Sequence, residues 1–142
     1  MKSELKRPFW LVLLAGVCVY VIASMLRRYV FAQSLTGMLS EIFLFLILLA
    51  PGAVVGYLRP RRVLELGFVA GFVSDIAYRV CDLLSTAILV DAPLGTIPVS
   101  SFMMGTLKGA LPVGVLGAAG GALGYVLRVR RNGILSAPEG AS

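Results

Sequence analysis

RVLELGFVAGFVSDIAYRVCDLLSTAILV, residues 62–90, is apolar enough to enter a lipid bilayer and yet carries Asp75, Arg79 and Asp82 within it. At about 100° per residue, Gly71, Asp75, Arg79, Asp82 and Thr86 fall within roughly 40° of one line, so a helix here gathers its polar groups on one face. A charge at the bilayer centre costs about 2.5–3.5 kcal/mol on the mildest scale, and three such charges facing lipid would be prohibitive. The polar face is therefore predicted to look into a bundle of helices.

The rest of the chain is suited to supply that bundle. Hydrophobic residues make up 58% of the 142 positions and charged residues 14%, whereas soluble domains are roughly half apolar and a quarter charged. The fold class that follows is all-α: a polytopic integral membrane protein built as a bundle of four transmembrane helices. Spans are expected at about 9–26, 38–58, 63–90 and 99–127, forming one domain over residues 1–131 with a short flexible tail at 132–142. That leaves no room for a soluble catalytic domain.

Outward from the central stretch, Arg59-Pro60-Arg61-Arg62 reads as a tight turn from the second span, which holds Glu41 near its start and Pro51 inside. Pro51 lacks an N–H, so neighbouring helices must cover the defect it leaves. On the other side, DAPLGTIP at 91–98 has turn chemistry, and Lys108 and Pro112 lie in the fourth span. The N-terminal apolar run, with Trp10 as an interfacial anchor, could be a signal peptide with Val21-Ile22-Ala23 as its cleavage triplet. Its 18 residues from Phe9 to Leu26 favour an uncleaved first span.

The formal charge of +6 does not point to nucleic acid, because most basic residues form three clusters that each abut an apolar segment. These are Lys2, Lys6 and Arg7; Arg59, Arg61 and Arg62; and Arg128, Arg130 and Arg131. Anionic lipid headgroups are their natural counterions. Only Arg27 and Arg28 fall on the opposite side, so the positive-inside rule places both termini in the cytoplasm and the protein in a cell (inner) membrane. With no His, and with Cys18 and Cys81 both inside spans, no metal site, cofactor or thiol relay is expected.

Glycine is abundant where helices should meet. Gly52 and Gly56, Gly67 and Gly71, Gly105 and Gly109, and Gly117, Gly120 and Gly124 recur at spacings of three or four, which lets backbones approach closely. The second and fourth spans also end alike, with Gly-x-x-x-Gly-Tyr followed by Arg-x-Arg-Arg at residues 52–62 and 120–131. This suggests a tandem repeat of two helix hairpins. The alternative is that small residues, an interfacial Tyr and a basic stop suit any span that enters the cytoplasm. The string GGALGYVLR at 120–128 is similar to a glycine-rich string of fluoride-exporting channels, but it lies here in the last span and there in the first. Small multidrug transporters are organised on a glutamate in their first span, and no acidic residue occurs between Phe9 and Leu26.

By helical rise, Asp75, Arg79 and Asp82 lie about 18, 24 and 28 Å above the cytoplasmic end, with Lys108 and Glu41 at about 28 and 26 Å. All five thus gather in the outer half, in a seam expected between the second, third and fourth spans, with a formal sum of −1. As structural pairs, Asp75 would meet Arg79, and Lys108 would meet Asp82 or Glu41. As a functional site, the odd carboxylate would handle a proton or cation. Asp75 and Asp82 are two turns apart with Arg79 between them, so they cannot share a proton as a catalytic dyad does. Ser100 and Ser101 are also two turns from Lys108, too far for a Ser/Lys nucleophile. The reading is therefore not an enzyme but a transport or permeation component. The alternative is an accessory subunit whose buried charges specify assembly. Partners expected are the bilayer and either further copies of the chain or other membrane subunits.

Overall fold

The structure, a computed structural model, describes residues 8–31, 37–59, 61–90 and 99–135. It is all-helical: α1 is Phe9–Tyr29, α2 is Met38–Leu58, α3 is Val63–Val90 and α4 is Val99–Leu135. The N-terminal basic cluster, the 91–98 turn, Pro60 and most of the tail lie outside the described residues. Three helices are long and apolar enough to cross a membrane: α1, α2 and α4 over Val99–Gly133. The charged α3 is not among them. Two boundaries differ from expectation. Arg27 and Arg28 belong to the last turn of α1 rather than to a connection, and α4 continues past residue 127 to Leu135. Basic side chains are good helix formers, so the positions that end an apolar run need not end its helix.

α1 and α4 each pack against both α2 and α3. The glycine contacts give the helix directions. Gly52 faces Gly117 and Gly121, Gly56 faces Gly121, and Gly124 faces Ala53 and Tyr57, so α2 and α4 run parallel. Val63 faces Gly121, Gly67 faces Gly117 and Ala118, and Gly71 faces Val113, so α3 runs antiparallel to α4. A Cβ at Gly52, Gly56, Gly67, Gly71, Gly117, Gly120, Gly121 or Gly124 would collide with backbone atoms of the neighbouring helix. Here the helices meet main chain to main chain, at a separation only glycine allows, and van der Waals contact is greatest.

Pro51 stays inside a continuous α2 and is fully buried. Its carbonyl and Cα lie against Gly16 of α1, so a second helix packs directly on the proline. Arg128 Nη1 donates to the carbonyls of Tyr57 (3.2 Å) and Leu58 (3.3 Å), and Arg131 donates to the Tyr57 hydroxyl. The last orphan carbonyls of α2 are thereby satisfied by the end of α4. The buried apolar core is thin: Val12, Val55 and Ala70 form one cluster, and Tyr20, Ile47 and Val113 form another. Large apolar side chains such as Trp10, Met38, Ile88 and Val99 are exposed.

Candidate functional site

Asp75 sits in the middle of α3 and is only 4% exposed, so its carboxylate needs partners. Both oxygens have one. Arg79 Nε, one turn on, donates to Oδ2 at 2.6 Å, and the Tyr20 hydroxyl of α1 donates to Oδ1 at 3.2 Å. The pairing of Asp75 with Arg79 is the one the i,i+4 spacing predicts. The far end of the Arg79 guanidinium lies against Gly109 of α4, where any side chain would displace it. Tyr20 is held in place by Tyr78, edge-to-face with centroids 6.2 Å apart. Next to Asp75, the Ser74 hydroxyl is buried and has no hydrogen-bond partner among the described residues. Ser85 and Thr106 instead bond the carbonyl one turn back in their own helices.

The second carboxylate of the polar face, Asp82, pairs with Arg28 of α1. This corrects the expected pairing of Asp82 with Lys108, and the expected position of the seam. Asp75 and Asp82 of that face meet α1, while Arg79 reaches across to Gly109 of α4. The physical reason is the glycine packing: at Gly67 and Gly71 the backbones of α3 and α4 leave no side-chain volume, and at Gly109 the missing side chain is replaced by the Arg79 guanidinium. Lys108 has the expected height but is rotated about 100° from Gly109, which faces α3. It lies instead on an exposed stripe with Met104, Leu111 and Val115. Glu41 is also exposed, in the first turn of α2. Neither forms an ion pair among the described residues. At Gly105, unlike the other glycines singled out by spacing, an added Cβ would meet nothing within 4 Å among the described residues.

Above the Asp75 cluster, α1, α2 and α3 leave a cavity of about 350 Å³. Its polar lining is Tyr20, Ser24, Arg27, Arg28, Ser40 and Tyr78, and Phe31, Leu44 and Ile47 form an apolar side. Tyr20 belongs to both the cavity wall and the shell of Asp75, so a continuous line of polar groups runs from the cavity to Asp75 and on to Arg79. The charged members brought together are Arg27, Arg28 and Arg79 with Asp75 and Asp82. Three cations less two anions leave +1, the opposite sign to the sequence expectation.

Sequence reasoning missed Tyr20, Arg28 and Ser24. A signal for the first was present: Val12, Gly16 and Tyr20 recur every four residues and form the buried stripe of α1. A phenol on that stripe must find a polar partner. Among the described residues no group of His, Cys, Asp and Glu is placed to hold a metal ion, and Cys18 and Cys81 are unpaired. No protein-family model, curated protein sequence or solved structure matches the chain.

Proposed function

We propose that all four helices span a cell membrane with both termini cytoplasmic, and that the protein is a small transport or permeation component rather than an enzyme. The observation that carries this reading is Asp75: a buried carboxylate, ion-paired on one side and connected through Tyr20 to a cavity on the other. Intramembrane ionisable groups are costly and mark solute or proton paths when a cavity reaches them. A solute in the cavity would reach Asp75 through Tyr20. Displacing the Tyr20 hydroxyl would leave Asp75 held by Arg79 alone, whose head is seated against Gly109. The unbalanced positive charge of the cluster favours an anion, or a solute that travels with one, over a bare cation.

The test is reconstitution in liposomes with a flux screen for protons, chloride and phosphate. The wild type should exceed protein-free vesicles for at least one solute, and Asp75→Asn should abolish that flux while the protein stays folded. Full flux through Asp75→Asn would overturn the assignment of the site.

A second reading is favoured by Lys108 and Glu41, two exposed charges at similar height on helix faces that are otherwise apolar. In a bilayer such charges call for partners, which another copy of the chain or a different membrane subunit would supply. On that reading the protein is an accessory subunit. Native mass spectrometry separates the two: a stoichiometric foreign subunit supports the accessory role, and a closed homo-oligomer supports transport.

A further inference from the structure

We infer that the cavity at the α1–α2 end of the bundle is a binding site for a phosphate group. It is walled by two guanidiniums and, among the described residues, by no carboxylate. The two are not equivalent. Arg28 is committed to Asp82, whereas among the described residues Arg27 makes only a long contact, 3.5 Å, to the Ser40 hydroxyl. A half-buried guanidinium with five N–H donors and one weak acceptor is an incomplete hydrogen-bonding group.

Helix dipoles do not supply the missing anion. The C-terminal end of α1 and the N-terminal end of α2 meet here, and their half charges are opposite in sign. The full charge of Arg27 therefore sets the sign of the site. Glu41 follows Ser40 but stands exposed and does not line the cavity. A planar guanidinium fork grips two oxygens of a tetrahedral oxyanion, and Ser24 on α1 and Ser40 on α2, which line the same cavity, add hydroxyl donors. A volume of about 350 Å³ is larger than a bare ion needs and falls at the lower end of ligand pockets. The same chemistry suits the headgroup of an anionic phospholipid or a soluble phosphate. The site does not depend on the transport reading, because a headgroup held there would anchor α1 to α2 whether or not anything crosses.

The experiment uses the full chain, purified and delipidated in detergent. One arm titrates inorganic phosphate by calorimetry, and the other adds phosphatidylglycerol, with phosphatidylcholine for comparison, and counts retained lipids by native mass spectrometry. Binding of either probe should weaken by about tenfold or more in Arg27→Gln, the loss of a charge-assisted hydrogen bond. Binding should be partly kept in Arg27→Lys and unchanged in Met104→Ala, which trims an exposed side chain of α4 outside the cavity. Phosphate binding identifies a soluble ligand, and selective retention of phosphatidylglycerol identifies a headgroup. If Arg27→Gln loses helicity by circular dichroism, the Ser24→Ala/Ser40→Ala pair replaces it, with the same direction expected. Absence of binding for both probes, or binding that does not respond to these cavity variants, overturns the site.

Discussion

The interface of α4 with α2 and α3 and the interface of α1 with α3 solve the same problem by opposite means. The first is built from glycine and closes backbone on backbone, with Gly117 and Gly121 at the meeting point of three helices. The second is built from side chains: Tyr20 on Asp75, Arg28 on Asp82, and a cavity between them. A glycine seam has no rotamers to change and no room to gain, so it acts as a fixed frame. A seam made of long side chains can open, exchange partners and admit a solute. Motion and chemistry are therefore expected on the α1 side, against the fixed reference of α4.

The largest effect expected from this contrast is at the frame. Gly117→Leu or Gly121→Leu would drive a side chain into the backbone of α3, a clash that repacking cannot relieve. Unfolding measured by steric trapping or denaturant should show a loss of about 3 kcal/mol or more. If either variant is as stable as the wild type, the glycine contacts are not formed. Next comes the ion pair. Asp75→Leu strands Arg79 and should cost about 3 kcal/mol, whereas Asp75→Leu together with Arg79→Leu should lie within about 1 kcal/mol of the wild type. A double variant as unstable as the single one would mean that the pair is not the reason Asp75 is tolerated. Tyr20→Phe removes one hydrogen bond to Asp75 and should cost about 1 kcal/mol. The smallest change is a gain: Gly105→Ala adds a methyl group where none of the described residues lies within 4 Å and should stabilise α4 by about 0.5–1 kcal/mol. A loss there would mean that a partner covers Gly105.

The sequence made the frame more legible than the site. Glycine spacing carries packing information because a missing side chain can be read without knowing its neighbour, and the expected members meet backbone, apart from Gly105 and from Gly109, which receives Arg79. The Asp75–Arg79 pair was legible because both residues lie on one helix, where periodicity fixes their relative direction. The partners across helices were not. Heights along the membrane normal placed Asp82, Lys108 and Glu41 together, but rise says nothing of rotation, and Lys108 is turned onto the exposed face of α4. Nor did the sequence reveal that α1 supplies the partners of α3, because Tyr20 is hidden in an apolar run and Arg28 reads as a basic flank. The clusters at the other end had a second role that counting charges misses: Arg128 caps the carbonyls that end α2.

The contrast between an open side-chain seam and a closed glycine frame is tested most directly by thiol labelling in membrane vesicles. In a Cys18→Ser/Cys81→Ser background, a charged, water-borne reagent would be applied to Ser24→Cys in the cavity wall and to Ala110→Cys on the fully buried face of α4. The expected result is rapid modification of Ser24→Cys and none of Ala110→Cys, with the first slowed by Tyr- or Arg-directed blocking of the cavity. Equal labelling of the two positions, or protection of both, would contradict the division of the bundle into a solute-accessible half and a sealed one.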